Sequence, residues 1–232
     1  MNYGYRHPGR PDAGPALAPA DEPDRSCIQL YDVVAGTVPL AGRELLEVGC
    51  GRGGGASYTA RYLKPRRTVG VDLSPRAIAL CRARFAPDGE ALAFEIGDAE
   101  RLPFGDASFD VVLNVESSHC YGSLPAFLRE ARRVLRRPDG RFLYADFRPR
   151  DEVAGWRDAL AAAGFELCED RDLTPGVVEA LDADHDFKRA RIARLVGRPL
   201  AGVFQEFAAL RGSEVYQRFR SGELAYHAFV LR

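Results

Sequence analysis

The chain has 232 residues and a formal net charge of −1, with 46% hydrophobic and 28% charged residues. This length and composition are typical of one large globular domain, or of one domain with a lid, that buries its own core. The near-zero net charge argues against a nucleic-acid partner, and the absence of a long apolar run or a signal-like segment favours a cytoplasmic protein without membrane insertion.

The sequence predicts an irregular N-terminal segment followed by alternating strands and helices. Residues 1–25 are rich in Pro, Gly and Ala, which predicts an irregular N-terminal arm ahead of a domain at residues 26–232. Apolar residues at helical spacing from Cys27 predict a helix that ends near Val38. Apolar runs then predict strands in the order RELLEV, RTVGVDLS, ALAFEIGD, FDVVLNVE and GRFLYADF. Helices are predicted between them at ASYTARYLK, at AIALCRARF after Pro75, and at the amphipathic LPAFLREARRVLRR.

The last part of the chain continues the alternation. EVAGWRDALAAAG predicts a helix closed by Gly164, FELCEDRDL predicts a sixth strand and LAYHAFVLR a seventh. Two helical stretches, from about Pro175 to Val196 and from about Leu200 to Arg220, come before that last strand. We expect residues 174–220 to form a helical lid over the substrate. Strands that alternate with helices predict an α/β fold with a parallel sheet and helices on both faces.

A glycine-rich loop follows the first predicted strand. In LEVGCGRGGG, Gly49, Gly51 and Gly54 fit the pattern G-x-G-x-x-G, and the next strand ends at Asp72, about 20 residues further on. In an open α/β sheet such a loop and such an acid lie beyond the carboxyl ends of the strands, where cofactors bind. Both features suit NAD and S-adenosylmethionine equally.

Two further features favour S-adenosylmethionine over NAD. Glu47 stands two residues before the first glycine, where a carboxylate would repel a pyrophosphate but attract an ammonium or a sulfonium. GDAERLPF follows the third strand, where Asp98 can accept a hydrogen bond from the adenine amine and Ala99 leaves room for the ring. Backbone N–H groups of the loop can meet the carboxylate of the cofactor.

Taken together, the motifs resemble those of the class I S-adenosylmethionine-dependent methyltransferases. LEVGCGRGGG, VGVDLS, GDAERLPFGDASFDVV and RRVLRRPDGRFLYADF match the family motifs in order and spacing from about Glu44 to Phe147. The resemblance implies a seven-stranded Rossmann-like sheet with six parallel strands and an antiparallel seventh. It also implies S-adenosylmethionine as the cofactor, in contact with Gly49, Cys50, Gly51, Asp72, Leu73, Asp98, Ala99, Glu100, Asn114 and Val115.

Three further segments resemble one subgroup of these methyltransferases. MNYGY, NVESSHCYGS and GSEVYQRFRSGELAYHAFVLR are similar to the phthiotriol and phenolphthiotriol dimycocerosate methyltransferases and to related small-molecule and fatty-acid O-methyltransferases. The likeness spans nearly the whole chain and is looser between Arg171 and Pro199. Two positions depart from the pattern: RRPDGR replaces a Pro-Gly-Gly turn, and Arg6 stands where an aromatic residue is expected. The second departure leaves the role of the arm open.

His119, in NVESSHCY, is the candidate general base. It lies five residues past Asn114, in the loop after the fourth strand that faces the transferred methyl group in this fold. Histidine is the side chain whose pKa suits proton removal near neutral pH. The alternative is that His119 only packs the loop. Glu116 can orient His119, bind substrate or form a salt bridge. His185, among surface acids, and His227, on a predicted strand, are weaker candidates.

The sequence therefore predicts methyl transfer to a small, mostly apolar natural-product or lipid-like acceptor, first of all at a hydroxyl oxygen. A carboxylate, carbon or nitrogen acceptor and a non-catalytic cofactor-binding protein remain as alternatives. The fourth strand ends without the Asn/Asp-Pro-Pro-aromatic motif of many amine and amide methyltransferases.

The remaining sequence patterns concern metal ions, nucleic acid and a second copy of the chain. The five cysteines are scattered without a C-x-x-C pair, and DADHD lacks the distal ligands of a calcium loop, so we expect no metal site. The basic run KRARIAR is interpreted as a solvated helix face. A homodimer is left open.

Overall fold

A seven-stranded sheet forms the centre of the fold and confirms the predicted architecture. The structure is a computed structural model that describes residues 2–10, 13–85, 91–195 and 198–232. The strands are β1 (Glu44–Val48), β2 (Arg67–Asp72), β3 (Leu92–Ile96), β4 (Val111–Val115), β5 (Arg141–Pro149), β6 (Leu167–Asp172) and β7 (Leu224–Leu231). Their order is β3-β2-β1-β4-β5-β7-β6, and β7 runs antiparallel to the other six.

Alternate residues of the central strands bury the two faces of the sheet. Leu45 and Leu113 belong to the core on one face, and Leu46 and Val112 belong to the core on the other. Successive side chains of a strand point to opposite faces, so a central parallel strand buries nearly all of its side chains. This requirement explains why β1 and β4 are mostly apolar, with Glu47 and Asn114 as buried polar exceptions near their ends.

Helices cover both faces, as predicted. They are α1 (Arg25–Ala35), α2 (Gly54–Tyr58), α3 (Pro75–Phe85), α4 (Leu124–Val134), α5 (Val153–Ala162), α6 (Thr174–Ala183), α7 (His185–Leu195), α8 (Arg198–Phe207) and α9 (Glu214–Arg220). On one face α1, α6 and α9 contribute Leu30, Val177 and Phe219 to the core. On the other face α4 and α5 contribute Phe127 and Trp156.

Several helix bounds differ from the predicted ones. Helix α1 ends at Ala35 rather than near Val38, and α2 is followed by a π-helix over Thr59–Leu63. The stretch predicted from Pro175 divides into α6 and α7, and its predicted end at Val196 lies outside the described residues.

The stretch predicted from Leu200 to Arg220 also divides in two. Gly212, with φ +94°, stands between α8 and α9. The Ser213 side chain then caps α9 by accepting the Tyr216 N–H at 3.2 Å. Helix α8 has already ended at Phe207, where Ala209 takes φ +50°, and Ser213 starts α9; the apolar periodicity alone does not reveal this break.

The N-terminal arm is irregular in backbone but is anchored to the helices around it. The Tyr5 N–H donates to Ser26 O at 2.9 Å, and the Arg6 guanidinium lies 3.2 Å from the Asp184 carboxylate. Lys188 of α7 donates to Tyr3 O at 3.0 Å. Met1, Pro11 and Asp12 lie outside the described residues, and the boundary between arm and domain at residue 25 stays a prediction. Within the described ranges no helix is long and apolar enough to cross a membrane.

Candidate active site

The glycine loop between β1 and α2 approaches its neighbours more closely than a side chain would allow. Gly49 has φ +74°, and a Cβ built on it would lie 2.4 Å from Ser117 Oγ in the loop after β4. A Cβ on Gly55 would lie 2.0 Å from the Tyr31 ring of α1. Gly51, by contrast, has open space where its Cβ would stand. The glycine segment therefore packs closely against α1 and against the loop after β4, whereas the edge at Gly51 has space for a ligand.

This loop borders a cavity of about 650 Å³, a size typical of small-molecule sites. Ten of the twelve residues predicted for the site line the cavity: Gly49, Cys50, Gly51, Asp72, Leu73, Asp98, Ala99, Glu100, Val115 and His119. The other two, Glu47 and Asn114, are buried and are not part of the lining. The fold thus brings together residues from four strand ends, and their contacts with a cofactor stay a prediction.

Asp72 lies where a ribose was predicted to bind. Its Oδ2 accepts the Gly51 N–H at 2.8 Å, and its Oδ1 accepts the Ser74 N–H at 2.9 Å. Each carboxylate oxygen can accept two hydrogen bonds, so both oxygens retain the capacity to bind a hydroxyl. The neighbouring Leu73 is an exposed apolar side chain on the cavity wall, which suits a residue that covers an adenine ring.

Glu47 is fully buried at the end of β1. The Tyr31 hydroxyl donates to its Oε1 at 2.6 Å, whereas Oε2 has no hydrogen-bond partner of ordinary geometry among the described residues. Burial raises the pKa of the Glu47 carboxyl to about 7, although the Tyr31 hydrogen bond lowers it. A nearby ammonium would stabilise the ionised form of this buried carboxyl.

Asn114 does not line the cavity; its side chain forms hydrogen bonds behind the cavity wall. Its Nδ2 donates to Val48 O at 2.9 Å, to Ser117 Oγ at 2.8 Å and to the Tyr121 hydroxyl at 3.0 Å. These bonds tie the end of β4 to the end of β1, and they fix the start of the loop that carries His119. Asn114 therefore acts on the site through its neighbours.

These groups fit S-adenosylmethionine. The free edge of the glycine loop can receive a carboxylate, Asp72 can receive a ribose diol, and the unpartnered oxygen of Glu47 suits an ammonium. A pyrophosphate would instead meet the buried charge of Glu47. The buried acid next to the glycine loop thus disfavours NAD, as the sequence indicates.

The His119 imidazole borders the cavity and is held from behind by a buried acid. Its Nδ1 lies 2.8 Å from Asp146 Oδ1, and its backbone N–H donates to Asp146 Oδ2 at 3.0 Å. Burial lowers the pKa of His119, but the hydrogen bond and charge of Asp146 raise it more, so the net pKa lies above the ordinary histidine value. Since Asp146 faces Nδ1, the other ring nitrogen is left to accept a proton.

Asp146, at the carboxyl end of β5, is completely buried and stays ionised through its partners. Burial raises its pKa, but the hydrogen bond and charge of His119 and the charge of Arg148 lower it further, so the net pKa lies below the usual aspartate value. The Ser118 hydroxyl donates to Oδ2, and Arg148 lies 3.4 Å from the same oxygen. Asp146 is not among the site residues predicted from the sequence. Its signal is an acid at the end of the apolar run RFLYADF, the same kind of signal that identified Asp72.

Glu116 does not orient His119, because Asp146 does. Glu116 has φ +51° and accepts the Tyr3 N–H of the arm at 3.0 Å. Burial raises the pKa of its carboxyl to about 7, the Tyr3 hydrogen bond lowers it and the charge of Asp146 raises it. The Tyr3 ring also packs on Phe147, whose ring lies 4.6 Å from that of His119. The arm thus forms part of the wall next to the candidate base.

The other two histidines examined from the sequence lie away from the cavity. His185 Nδ1 accepts the Arg211 N–H at 3.2 Å and belongs to the contacts between helices. His227 lies on β7, as predicted, with its Nδ1 2.6 Å from Asp170 Oδ1. Neither lines the cavity that contains His119.

The sheet order and the glycine-loop site define a class I S-adenosylmethionine-dependent methyltransferase. Residues 46–144 match the family described as Methyltransferase domain. In fold, the cyclopropane synthase MmaA2 from Mycobacterium tuberculosis is similar, with a TM-score of 0.76 at 19% identity over 99% of this chain and 89% of that chain.

Two curated relatives are similar over almost the whole sequence. The phthiotriol/phenolphthiotriol dimycocerosates methyltransferase of Mycobacterium tuberculosis is 41% identical over 229 residues, which cover 99% of this chain and 83% of the relative. The fatty-acid O-methyltransferase of Mycolicibacterium smegmatis is 40% identical over 99% of this chain and 81% of the relative. The chain belongs to the S-adenosylmethionine-dependent methyltransferase family, and S-adenosylmethionine is its cofactor.

Proposed function

We propose that this enzyme transfers the methyl group of S-adenosylmethionine to a hydroxyl oxygen of a small, mostly apolar, lipid-like acceptor. One observation carries the proposal: the His119 imidazole borders the cavity and lies 2.8 Å from the buried Asp146 carboxylate. The name of one relative, a fatty-acid O-methyltransferase, supports an oxygen acceptor, and the names of both relatives support a lipid-like substrate.

His119 is the general base in this proposal. The bound cofactor supplies an electrophilic methyl group on a sulfonium. The ring nitrogen that faces away from Asp146 accepts the proton of the acceptor hydroxyl as the oxygen attacks, and Asp146 stabilises the imidazolium that forms. A positioned base typically contributes about 10²–10⁴-fold to the rate.

The side chains around the base support an apolar acceptor. Tyr3, Ile28, Tyr31 and Phe207 line the part of the cavity formed by the arm, α1 and α8. Such a wall excludes water and holds an acyl or polyketide chain without a specific polar partner.

A carboxylate acceptor is the second candidate, because one relative is named a fatty-acid O-methyltransferase. A carboxylate already carries the nucleophilic lone pair, so its methylation needs no base. The two candidates therefore differ in their dependence on His119.

The test uses methyl-labelled S-adenosylmethionine with a long-chain alcohol, a phenol and a fatty acid of matched length. We expect label in a hydroxyl acceptor, and we expect His119→Ala to lower kcat by about 10²–10⁴-fold at unchanged cofactor affinity. His185→Ala, outside the cavity, is the control. Label in the fatty acid with full activity of His119→Ala would establish the second candidate. Cofactor binding without label in any lipid extract would indicate a non-catalytic protein.

A further inference from the structure

Helix α8 exposes an apolar stripe. Val203, Phe204 and Phe207 share one face of the helix by their spacing, and they are 66%, 43% and 65% exposed. On the neighbouring helix α7, Phe187 is also an exposed aromatic residue. Isolated exposed apolar residues are common, but three large ones on a single helix face mark an interaction surface.

Helix α7, which precedes α8 in the chain and contacts it, carries exposed positive charge. Residues 185–207 contain five basic and two acidic residues, whereas the whole chain has a net charge of −1. Arg189 and Arg194 of α7 are exposed. Arg194 lies seven residues after Phe187 and shares its face of α7, whereas Arg189 lies on the opposite side and pairs with Asp186 at 3.2 Å. Aromatic residues combined with arginines are the composition of helices that lie in a membrane interface.

The stripe continues into the cavity. Phe207 lines the cavity, and so does Arg191 of α7, whose guanidinium lies 3.2 Å from Asp24 ahead of α1. A ligand that crosses this rim therefore passes directly from the exposed face of α8 into the space next to the arm. An apolar molecule taking that route would not have to cross bulk water.

We propose that the α7–α8 surface, defined by Phe187, Arg194, Val203, Phe204 and Phe207, docks this enzyme on an anionic phospholipid surface. The helices lie on the membrane and do not span it. The aromatic residues enter the acyl boundary while Arg194 meets lipid phosphates. Delivery of the acceptor from the bilayer to the cavity rests on the proposed function, whereas the docking itself does not.

A second copy of the chain fits this surface less well. A two-fold dimer would place the same basic segment of both copies face to face, and like charges would oppose its formation. An anionic lipid surface instead complements the charge and covers the apolar stripe at the same time.

The experiment is flotation of the purified enzyme with phosphatidylcholine vesicles and with mixed phosphatidylcholine–phosphatidylglycerol vesicles, without acceptor or cofactor. We expect binding to the anionic vesicles, weakened by salt. Val203→Ser combined with Phe204→Ser, and separately Arg194→Glu, are expected to lower the partition coefficient by more than about tenfold. Calorimetric binding of S-adenosylmethionine reports whether each variant is folded.

Matched controls lie elsewhere on the surface. Leu167→Ser replaces a side chain that is 44% exposed on β6, and Arg129→Glu reverses an exposed charge on α4. Both are expected to bind vesicles like the wild type. The proposal is overturned if the wild type does not bind anionic vesicles, or if folded variants of both kinds bind as well as the controls. It is also overturned if the V203S/F204S change abolishes a dimer instead of vesicle binding. None of these outcomes bears on methyl transfer to a dispersed acceptor, which is measured separately.

Discussion

Replacing Asp146 with asparagine preserves the shape of the side chain but removes the charge behind His119. Oδ1 accepts from His119 Nδ1 at 2.8 Å and from the Phe147 N–H at 2.9 Å, while Oδ2 accepts from Ser118 Oγ and the His119 N–H. Each oxygen thus faces two donors. An amide NH₂ at either place meets donors instead of acceptors, so at least one anchoring contact of the imidazole is lost.

Two kinetic changes follow, and they have different directions. We expect kcat on the plateau to fall by about 10²-fold, within the range that a positioned base contributes. We also expect the acid limb of the kcat profile to move to lower pH. Wild-type His119 loses activity when pH falls below its raised pKa, because it is then protonated, and removal of the Asp146 charge lowers that pKa.

The assay is the pH dependence of kcat under saturating cofactor. Asp170→Asn is the matched control, because Asp170 holds His227 at 2.6 Å in a similar pair away from the cavity. It is expected to leave the profile unchanged. Glu116→Gln separates the titration of Glu116, whose pKa of about 7 falls in the same range, from that of His119.

Folding must be checked in parallel, because Asp146→Asn leaves the largely buried Arg148 without its carboxylate. Breaking such a pair costs about 3–5 kcal/mol. His119→Gln tests the same base at a side chain that is 30% exposed, and it is expected to abolish the acid limb. If folded Asp146→Asn kept the wild-type plateau and acid limb, the result would falsify the role of the pair.

Two further predictions concern the cofactor. Gly49→Ala is expected to weaken S-adenosylmethionine binding in calorimetry by more than about tenfold, because its Cβ would collide with the loop after β4. Gly42→Ala is the control, because Gly42 also has a positive φ of +77° but has open space around its Cβ. This variant should retain cofactor affinity. An equal loss of affinity in both variants would contradict the collision at Gly49. The affinity of the wild type for cofactor should rise by up to about tenfold from pH 6 to pH 8, as Glu47, with a pKa of about 7, ionises. Glu47→Gln should abolish that dependence and Glu116→Gln should preserve it; a wild-type affinity independent of pH would contradict the role of Glu47.

The sheet and the cofactor side of the cavity could be predicted from local patterns. Central strands are covered on both faces, so β1 and β4 can be identified as short, mostly apolar runs, ELLEV and VVLNV. The turn at Gly49 and the acid at Asp72 occupy fixed places relative to those strands, which is why ten predicted residues meet at one cavity.

The acceptor side depends on contacts between distant residues and could not be predicted in the same way. The partner of His119 lies 27 residues further on, in β5, and the partner of Tyr3 lies in α7 at Lys188. No local periodicity encodes such a pairing. The four helices from Thr174 to Arg220 show the same limit, because their breaks are set by single residues such as Ala209 and Ser213.

The position of β7 has a consequence for how the molecule assembles. Strand β7 follows the other six strands in the sequence yet lies between β5 and β6, and within the described residues β6 pairs with β7 alone. A nascent chain that ends before Leu224 can form the five-stranded sheet β3-β2-β1-β4-β5 with its glycine loop. Strand β6 cannot yet pair, because its neighbour β7 has not been synthesised. The loop that must close before β6 is secured contains α6 to α9, so closing it delays sheet completion. We therefore expect the cofactor side of the cavity to form early during synthesis and the acceptor side to form last.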